Sequence, residues 1–279
     1  RFRVNWREVE FCDEIDEIEH PIVREALRML EIDFPLEIST FSDIPSNSGL
    51  GSSSAFAVGL LHALYGLKGQ MQTKSTLAYE AARIEIDVLE RSMGLQDHFA
   101  SAYGGLNVLR FDSGGLVSVE PVFYRRDCLE RLVENLMMFW VGQDRDASAV
   151  LESQVAATPS KLDVLTEMCD FVPQMRSIVE SGGDLDEIGP MLHQSWMLKK
   201  SLTDDVSNRL IDRYYEVGIK AGARGGKLCG AGGGGFLLLY VKPDDRVAVS
   251  RALVDTYPLS WALDSGGTRI TYYEPSHVY

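Results

Sequence analysis

The sequence predicts a chain of mixed α and β structure with a helical middle. One observation is a strand pattern at residues 36–41 that runs through a turn-rich loop into an apolar, helix-spaced run at 55–64. A second is helical periodicity across residues 149–222. The third is a glycine stretch at 225–235 that leads into FLLLYV, a run of strand character. No repeat or low-complexity linker interrupts this order.

Length and charge narrow the class. A chain of 279 residues holds two modest domains or one large one. The net charge of −14, from 27 basic and 41 acidic residues, argues against nucleic acid or an anionic membrane as partner. Cys12, Cys128, Cys169 and Cys229 are widely spaced with no C-x-x-C pair, which reads as reduced thiols in a cytoplasmic protein. The five histidines lack H-E-x-x-H or comparable spacing, so zinc is not expected. No apolar run approaches the roughly 20 residues of a membrane span, and no signal peptide is visible. Oligomeric state is not legible.

In chain order, residues 1–10 alternate as a strand with Arg7 and Glu8 facing solvent. Residues 21–30 read as a helix with Pro21 in its first turn and Ile22, Ala26 and Leu30 on one face. The strand at 36–41 delivers the chain into a loop punctuated by Pro45, Asn47, Gly49 and Gly51. Ser52, Ser53 and Ser54 open the next helix, and Gly66 is expected to stop it. Free backbone N–H groups, hydroxyls and the positive end of a helix dipole coincide there, which makes an anion cradle. Gly49 and Gly51 would let a phosphate approach the backbone. Serine-rich helix starts also arise simply because serine caps helices well.

Residues 75–91 form a second helix with an inner stripe of Leu77, Ala81, Ile84 and Val88. Glu85 lies beside Ala78, Ala82 and Leu89, whereas Asp87 lies toward Glu80, Arg83 and Arg91, so Glu85 is the better partly buried carboxylate. An acid at the edge of such a stripe is ordinarily solvated or ion-paired. After Gly94, Asp97 heads an Ala-rich helical segment and by itself reads as a cap. Residues 104–119 read as a hairpin around Ser113, Gly114 and Gly115, and 136–141 as a fully apolar strand. Arg145 stands in the next loop between Asp144 and Asp146, as a surface arginine would. Trp196, Leu198 and Leu202 read as core. Lys199 and Lys200 are adjacent and cannot share one direction; Lys200 is taken as the one that reaches an anionic group.

The stretch GGKLCGAGGGGFLLLY contains a literal G-x-G-x-x-G at Gly230, Gly232 and Gly235. The strand comes after the glycines, whereas a dinucleotide fingerprint sits after a strand and opens a helix, so that reading is set aside. Such glycines can lie against substrate and phosphate, with Lys227 adding positive charge; a tight connection before an internal strand is the plainer alternative. Residues 246–256 read as an amphipathic helix and 268–273 as a closing strand.

Pro45 to Ala55, PSNSGLGSSSA, resembles the phosphate-loop motif P-x-x-x-G-L-G-S-S-A of the GHMP small-molecule kinases. The segment G-L-Q-D-H resembles the G-x-x-D-Q segment of galactokinase-like members, with His98 in place of Gln, and the separation 97 − 85 = 12 resembles their spacing. The glycine stretch resembles the superfamily's carboxyl-terminal glycine loop. Over nearly its whole length the chain is similar to the heptose 7-phosphate kinase group.

The resemblance implies a two-domain GHMP kinase fold, with an amino-terminal α+β domain and a ferredoxin-like carboxyl-terminal domain; the boundary is placed at residues 1–128 and 129–279. It implies ATP and Mg²⁺ as cofactors and transfer of a phosphoryl group to the anomeric hydroxyl of a heptose 7-phosphate, feeding nucleotide-activated heptose for cell-surface glycans. In that reading Pro45, Ser48, Gly49, Leu50, Gly51, Ser52, Ser53 and Ser54 hold the nucleotide, Ser53 and Glu85 hold the metal, and Asp97 faces the acceptor hydroxyl. Arg145, Lys200, Lys227, Gly230, Gly232 and Gly233 are assigned to the sugar phosphate. The P-x-R-I-x-x-x-G-G-G-T-D segment that precedes these motifs in the family has no match, and the expectation is a sequence without its amino-terminal part. Three rivals stay open: a fucose- or galactose-type anomeric kinase, a non-catalytic sugar- and nucleotide-binding homologue, and an unrelated hydrolase using Ser53. The last is weakest, because G-S-S-S-A is not G-x-S-x-G.

Overall fold

A computed structural model describes residues 1–44, 48–143 and 147–274. Its residues form two compact units: the first takes 1–44, 51–105 and 264–274, the second 48–50, 106–143 and 147–263.

The first unit begins with a hairpin rather than the single expected strand. Strand β1 (Phe2–Asn5) turns at Trp6, whose N–H donates to Glu8 O at 2.9 Å, and returns as β2 (Val9–Cys12). Arg7 and Glu8 do face solvent, but as turn residues. β3 (Glu37–Ser39) joins β1 in parallel, so the sheet order is β2-β1-β3. The buried Glu10 carboxylate accepts from Trp6 Nε1 (2.7 Å) and from the N–H groups of Glu19 (2.6 Å) and His20 (3.2 Å), fixing the chain just before helix α1 (Pro21–Met29). Pro21 starts that helix with no N–H to leave unpaired, and Ile22, Val23, Ala26 and Leu27 line its buried face.

Helix α2 (Ser52–Leu67) buries Ala57, Val58, Leu60, Leu61 and Leu64. It does not stop at Gly66, which is helical and buried; the left-handed turn comes at Gly69, with φ of 66°. Gly66 is small for another reason, since a Cβ there would stand 2.7 Å from Ile270 Cδ1. Residues 268–273 form no strand. Instead the segment is tied to helices, with Thr268 Oγ1 3.0 Å from His62 Nδ1 and Thr268 N–H donating to Ser101 O at 3.0 Å.

Helix α3 (Lys74–Ala82) is capped by Thr73, whose hydroxyl accepts from Thr76 N–H at 3.1 Å. It then loosens into a π-helical turn over Arg83–Val88, closed by Leu89 N–H to Ile84 O at 3.0 Å. A π turn takes in one residue more than an α turn and rotates the chain beyond it. Ile84 and Glu85 therefore stay inside, while Val88, expected on the inner stripe, is 48% exposed. Helix α4 (Gln96–Tyr103) comes next, and α2, α3 and α4 pack on one another.

The second unit opens with the expected hairpin, β4 (Asn107–Phe111) and β5 (Val117–Pro121), whose turn is held by Asp112 Oδ1 accepting from Gly114 N–H (2.9 Å) and Leu116 N–H (2.8 Å). Then come α5 (Arg126–Glu134), β6 (Leu136–Gln143), α6 (Ala147–Ala157), α7 (Leu162–Ser181), α8 (Ile188–Lys200) and α9 (Arg209–Lys220). Strands β7 (Gly225–Leu228) and β8 (Gly234–Tyr240), helix α10 (Arg246–Ala252) and strand β9 (Tyr257–Leu259) complete it. Strands β6 to β9 form an antiparallel sheet of order β7-β8-β6-β9. With helices between β6 and β7 and between β8 and β9, this is the β-α-β-β-α-β order of a ferredoxin-like unit. Its core joins Phe139, Trp196, Ile211, Leu237, Leu239 and Val249.

The division between units falls at Gly105 and Leu106, not near Cys128. Cys128 is 1% exposed in a core with Val108, Val122, Val179, Ile188 and Tyr240, so the hairpin and α5 belong with the second unit. Residues 264–274 return to the first unit, which no single cut of the chain would allow. Among the described residues no helix is long and apolar enough to cross a membrane, and the four cysteines are free.

Candidate active site

The tip of α2 is built from glycine and serine. Gly51 is its N-cap in the left-handed region, φ 68°, and the first intrahelical bond runs from Ala55 N–H to Gly51 O at 2.9 Å. The N–H groups ahead of that bond point out of the helix, as an anion requires. Ser54 is fully buried, and its hydroxyl has no hydrogen-bond partner among the described residues. A buried polar group left unpaired costs about 1–3 kcal/mol, so the tip keeps unused donor capacity.

Beside the tip stands a side-chain cluster with Glu85 at its centre. Glu85 has no exposed surface. Ser53 Oγ donates to Glu85 Oε1; Arg91 Nη1 donates to the same oxygen at 2.6 Å and to Ser53 Oγ at 2.8 Å. His98 Nε2, itself fully buried, lies 2.9 Å from Glu85 Oε2. Burial raises the Glu85 carboxyl pKa, but the hydrogen bonds from His98 and Ser53 and the electrostatics of His98 and Arg91 outweigh it and hold the group below its ordinary value. Asp87, the alternative carboxylate, is exposed.

Asp97 sits in the first turn of α4, one residue from His98, and is not the N-cap, which is Leu95. Its carboxyl faces the glycine at the tip of α2: a Cβ on Gly51 would stand 3.0 Å from Asp97 Cγ and 3.2 Å from Oδ2. Ser53, Glu85 and Asp97, drawn from three separate stretches of sequence, thus share one locality in the first unit. Gly51, expected to make room for a phosphate, makes room for this carboxylate.

In the second unit Ser48, Gly49 and Leu50 pack against the glycine loop between β7 and β8. A Cβ on Gly49 would stand 3.0 Å from Cys229 O, one on Gly230 2.6 Å from Gly49 Cα, and one on Gly235 2.5 Å from Ser48 O. These glycines serve to bring two loop backbones together. Gly232 is pressed on Val206, 2.7 Å from its carbonyl oxygen by the same measure, and Gly233 N–H donates to Val206 O at 3.0 Å. Ser48 is fully buried, and its hydroxyl has no hydrogen-bond partner among the described residues.

Lys200 is engaged in an ion pair: its Nζ meets Asp212 Oδ1 of α9 at 2.5 Å. The neighbouring Lys199 donates to Gly230 O, so of the adjacent pair the structure sends the other one to the glycine stretch. Lys227 lies on β7 and, with Lys199, offsets part of the rise that burial gives the Cys229 thiol pKa. Pro45 and Arg145 lie outside the described residues.

Sequence periodicity missed Arg91 and the contact of His98. Arg91 returns to Glu85 because Glu90 adopts a left-handed backbone, φ 53°, and Arg91 N–H then donates to Glu85 O at 3.0 Å. An uninterrupted helix would have left it among solvated charges. His98 carried one signal, its departure from the Gln of the motif it resembles.

A glycine-fronted helix tip stands beside a partly buried serine and the buried Glu85, in a chain that also holds a ferredoxin-like unit. Residues 21–105 match the family described as GHMP kinases N terminal domain, and residues 172–259 match GHMP kinases C terminal. The chain belongs to the GHMP kinases. It is 29% identical over 226 residues to the D-glycero-alpha-D-manno-heptose 7-phosphate kinase of Campylobacter jejuni, covering 78% of this chain and 66% of that one. It is 26% identical over 234 residues to a bifunctional fucokinase/GDP-fucose pyrophosphorylase of Arabidopsis thaliana, covering 80% of this chain and 21% of that one. The chain thus spans less than two thirds of the length of these relatives. In fold it is similar to a D-glycero-D-manno-heptose 1-phosphate kinase from Bacteroides thetaiotaomicron, with a TM-score of 0.71 and 22% identity over 98% of this chain and 84% of that one.

Proposed function

We propose that the protein is an ATP-dependent sugar kinase that transfers a phosphoryl group to the anomeric hydroxyl of a heptose 7-phosphate. The observation that carries this reading is the convergence of Ser53, Glu85 and Asp97 at the tip of α2. Phosphoryl transfer asks a protein mainly for positioning and charge neutralisation, because most of the charge of a loose transition state lies on phosphate oxygens. The outward N–H groups at the tip of α2 suit the phosphates of ATP.

Ser53 Oγ and Glu85 Oε1 are adjacent hard oxygens. Among the described residues no group of three or more His, Cys, Asp or Glu could hold a metal. The Ser53–Glu85 oxygen pair fits Mg²⁺, which takes one or two protein oxygens and completes its shell with phosphate and water. Bound there, Mg²⁺ would neutralise charge on the transferring phosphates. Asp97 then takes the proton of the acceptor hydroxyl or stabilises the charge that forms as it leaves. Ser48, Gly49, Leu50 and Ser52 are retained for the nucleotide, and Lys227, Gly230, Gly232 and Gly233 for the sugar phosphate; Lys200, paired with Asp212, is not.

The heptose 7-phosphate substrate is favoured by the Campylobacter jejuni relative, and a fucose-type acceptor by the Arabidopsis thaliana one. A coupled ADP-release assay on the full-length protein with a panel of free sugars and sugar 7-phosphates separates them. Turnover confined to a heptose 7-phosphate supports the proposal; turnover of fucose alone moves the substrate. ATP binding with no ADP release under any acceptor rejects catalysis.

A further inference from the structure

The oxygens assigned above to Mg²⁺ already carry a cation. Arg91 Nη1 reaches both Glu85 Oε1 (2.6 Å) and Ser53 Oγ (2.8 Å), while His98 holds the other carboxylate oxygen at 2.9 Å. A carboxylate with no exposed surface needs such a countercharge, since an isolated buried charge is prohibitively costly. A divalent cation held by Ser53 and Glu85 would need the same oxygen lone pairs that the guanidinium now occupies.

We infer that Arg91 and a divalent cation are mutually exclusive occupants of the Ser53–Glu85 pair, with Arg91 neutralising the pair in the metal-free protein and leaving it when the metal binds. The inference rests on the proposed metal site and adds a residue to it. Of the groups around Glu85, Arg91 is the one able to leave: its side chain is 36% exposed, whereas His98 has no exposed surface. Its guanidinium reaches the pair from a segment outside regular structure, beyond the π turn. His98 then keeps the carboxylate oriented in both states. Arg91 is a positioning residue here, acting on the metal through the oxygens both compete for.

Titration of the metal-free full chain with Mn²⁺ alone, followed by loss of the free-ion EPR signal, tests this without turnover. Arg91→Met keeps the aliphatic stem and removes the competitor; Mn²⁺ affinity should rise by about tenfold, the scale of one charge-assisted hydrogen bond. Arg91→Lys, which keeps the charge, should fall between. In the wild type, the Arg91 Nε–H NMR signal should shift as Mg²⁺ is added. Unchanged or weaker Mn²⁺ binding in Arg91→Met, with binding lost in Glu85→Gln and Ser53→Ala, overturns the exclusion and leaves the metal site standing. Wild-type Mn²⁺ binding in both Glu85→Gln and Ser53→Ala removes the metal site and the inference together. Melting curves of each variant confirm that folded protein is compared.

Discussion

The Asp97 carboxyl occupies the volume that a side chain at Gly51 would fill, its Cγ 3.0 Å from where that Cβ would stand. The proposed catalytic carboxylate is thereby placed by the residue opposite it, at the helix tip that would hold the phosphates.

Gly51→Ala should therefore harm activity more than stability. The added Cβ pushes Asp97 aside and also sits at φ 68°, where an L-residue costs about 1–2 kcal/mol. The expected result is a modest fall in Tm with kcat down about 10²-fold, the effect of misplacing a reacting group by about 1 Å. A Tm drop alone, with kcat kept, would mean that Asp97 accommodates the methyl group.

Asp97→Asn should keep Tm and ATP affinity while kcat falls about 10²-fold or more, the scale of losing general-base help. Steady-state kinetics beside nucleotide binding by calorimetry separates the two quantities. A variant as fast as wild type removes Asp97 from the mechanism.

Glu85 makes the fold acid-sensitive. Its carboxyl pKa is held below the ordinary 4.5 in the folded chain, so the unfolded chain takes up a proton first as pH falls. The stability it contributes is complete above that ordinary value and is lost as pH drops through the lower folded value. Wild-type Tm should fall across this acid window, and Glu85→Gln should show a shallower fall while starting from a lower Tm at neutral pH. Parallel curves for the two proteins would show that other carboxylates govern acid unfolding.

The adjacent lysines should behave differently. Lys200→Ala breaks a partly exposed pair with Asp212, worth about 1 kcal/mol or less, and should leave KM for both substrates unchanged. Lys199→Ala frees Gly230 O and should raise KM for the sugar phosphate. Equal KM values for the two variants would detach Lys199 from the site as well.

Much of this arrangement was legible in the sequence. Helical spacing separated Glu85 from Asp87, and the order strand, glycine loop, helix placed Ser52 to Ser54 at a helix tip. The strand run after the glycine loop and the hairpin around Gly114 came from residue type and turn chemistry. The features that stayed hidden depend on backbone geometry that periodicity cannot encode. Arg91 arrives through a π turn and a left-handed Glu90, and Val88 leaves the core for the same reason. Residues 268–273 alternate like a strand yet find a helix surface instead of a sheet edge. Gly66 reads as a stop because its packing partner, Ile270, is 204 positions away, 270 − 66.

The π turn at Arg83–Val88 has a bearing on how this site can vary. Because one surplus residue sets the rotation of everything from Glu85 to Arg91, chain length in this turn constrains the site more tightly than the identity of its exposed residues. Exchanging Asp87 or Val88 for another side chain leaves the coil pitch alone. Deleting either would tighten the turn that delivers the chain to Arg91 and draw the guanidinium off the glutamate, leaving it unshielded.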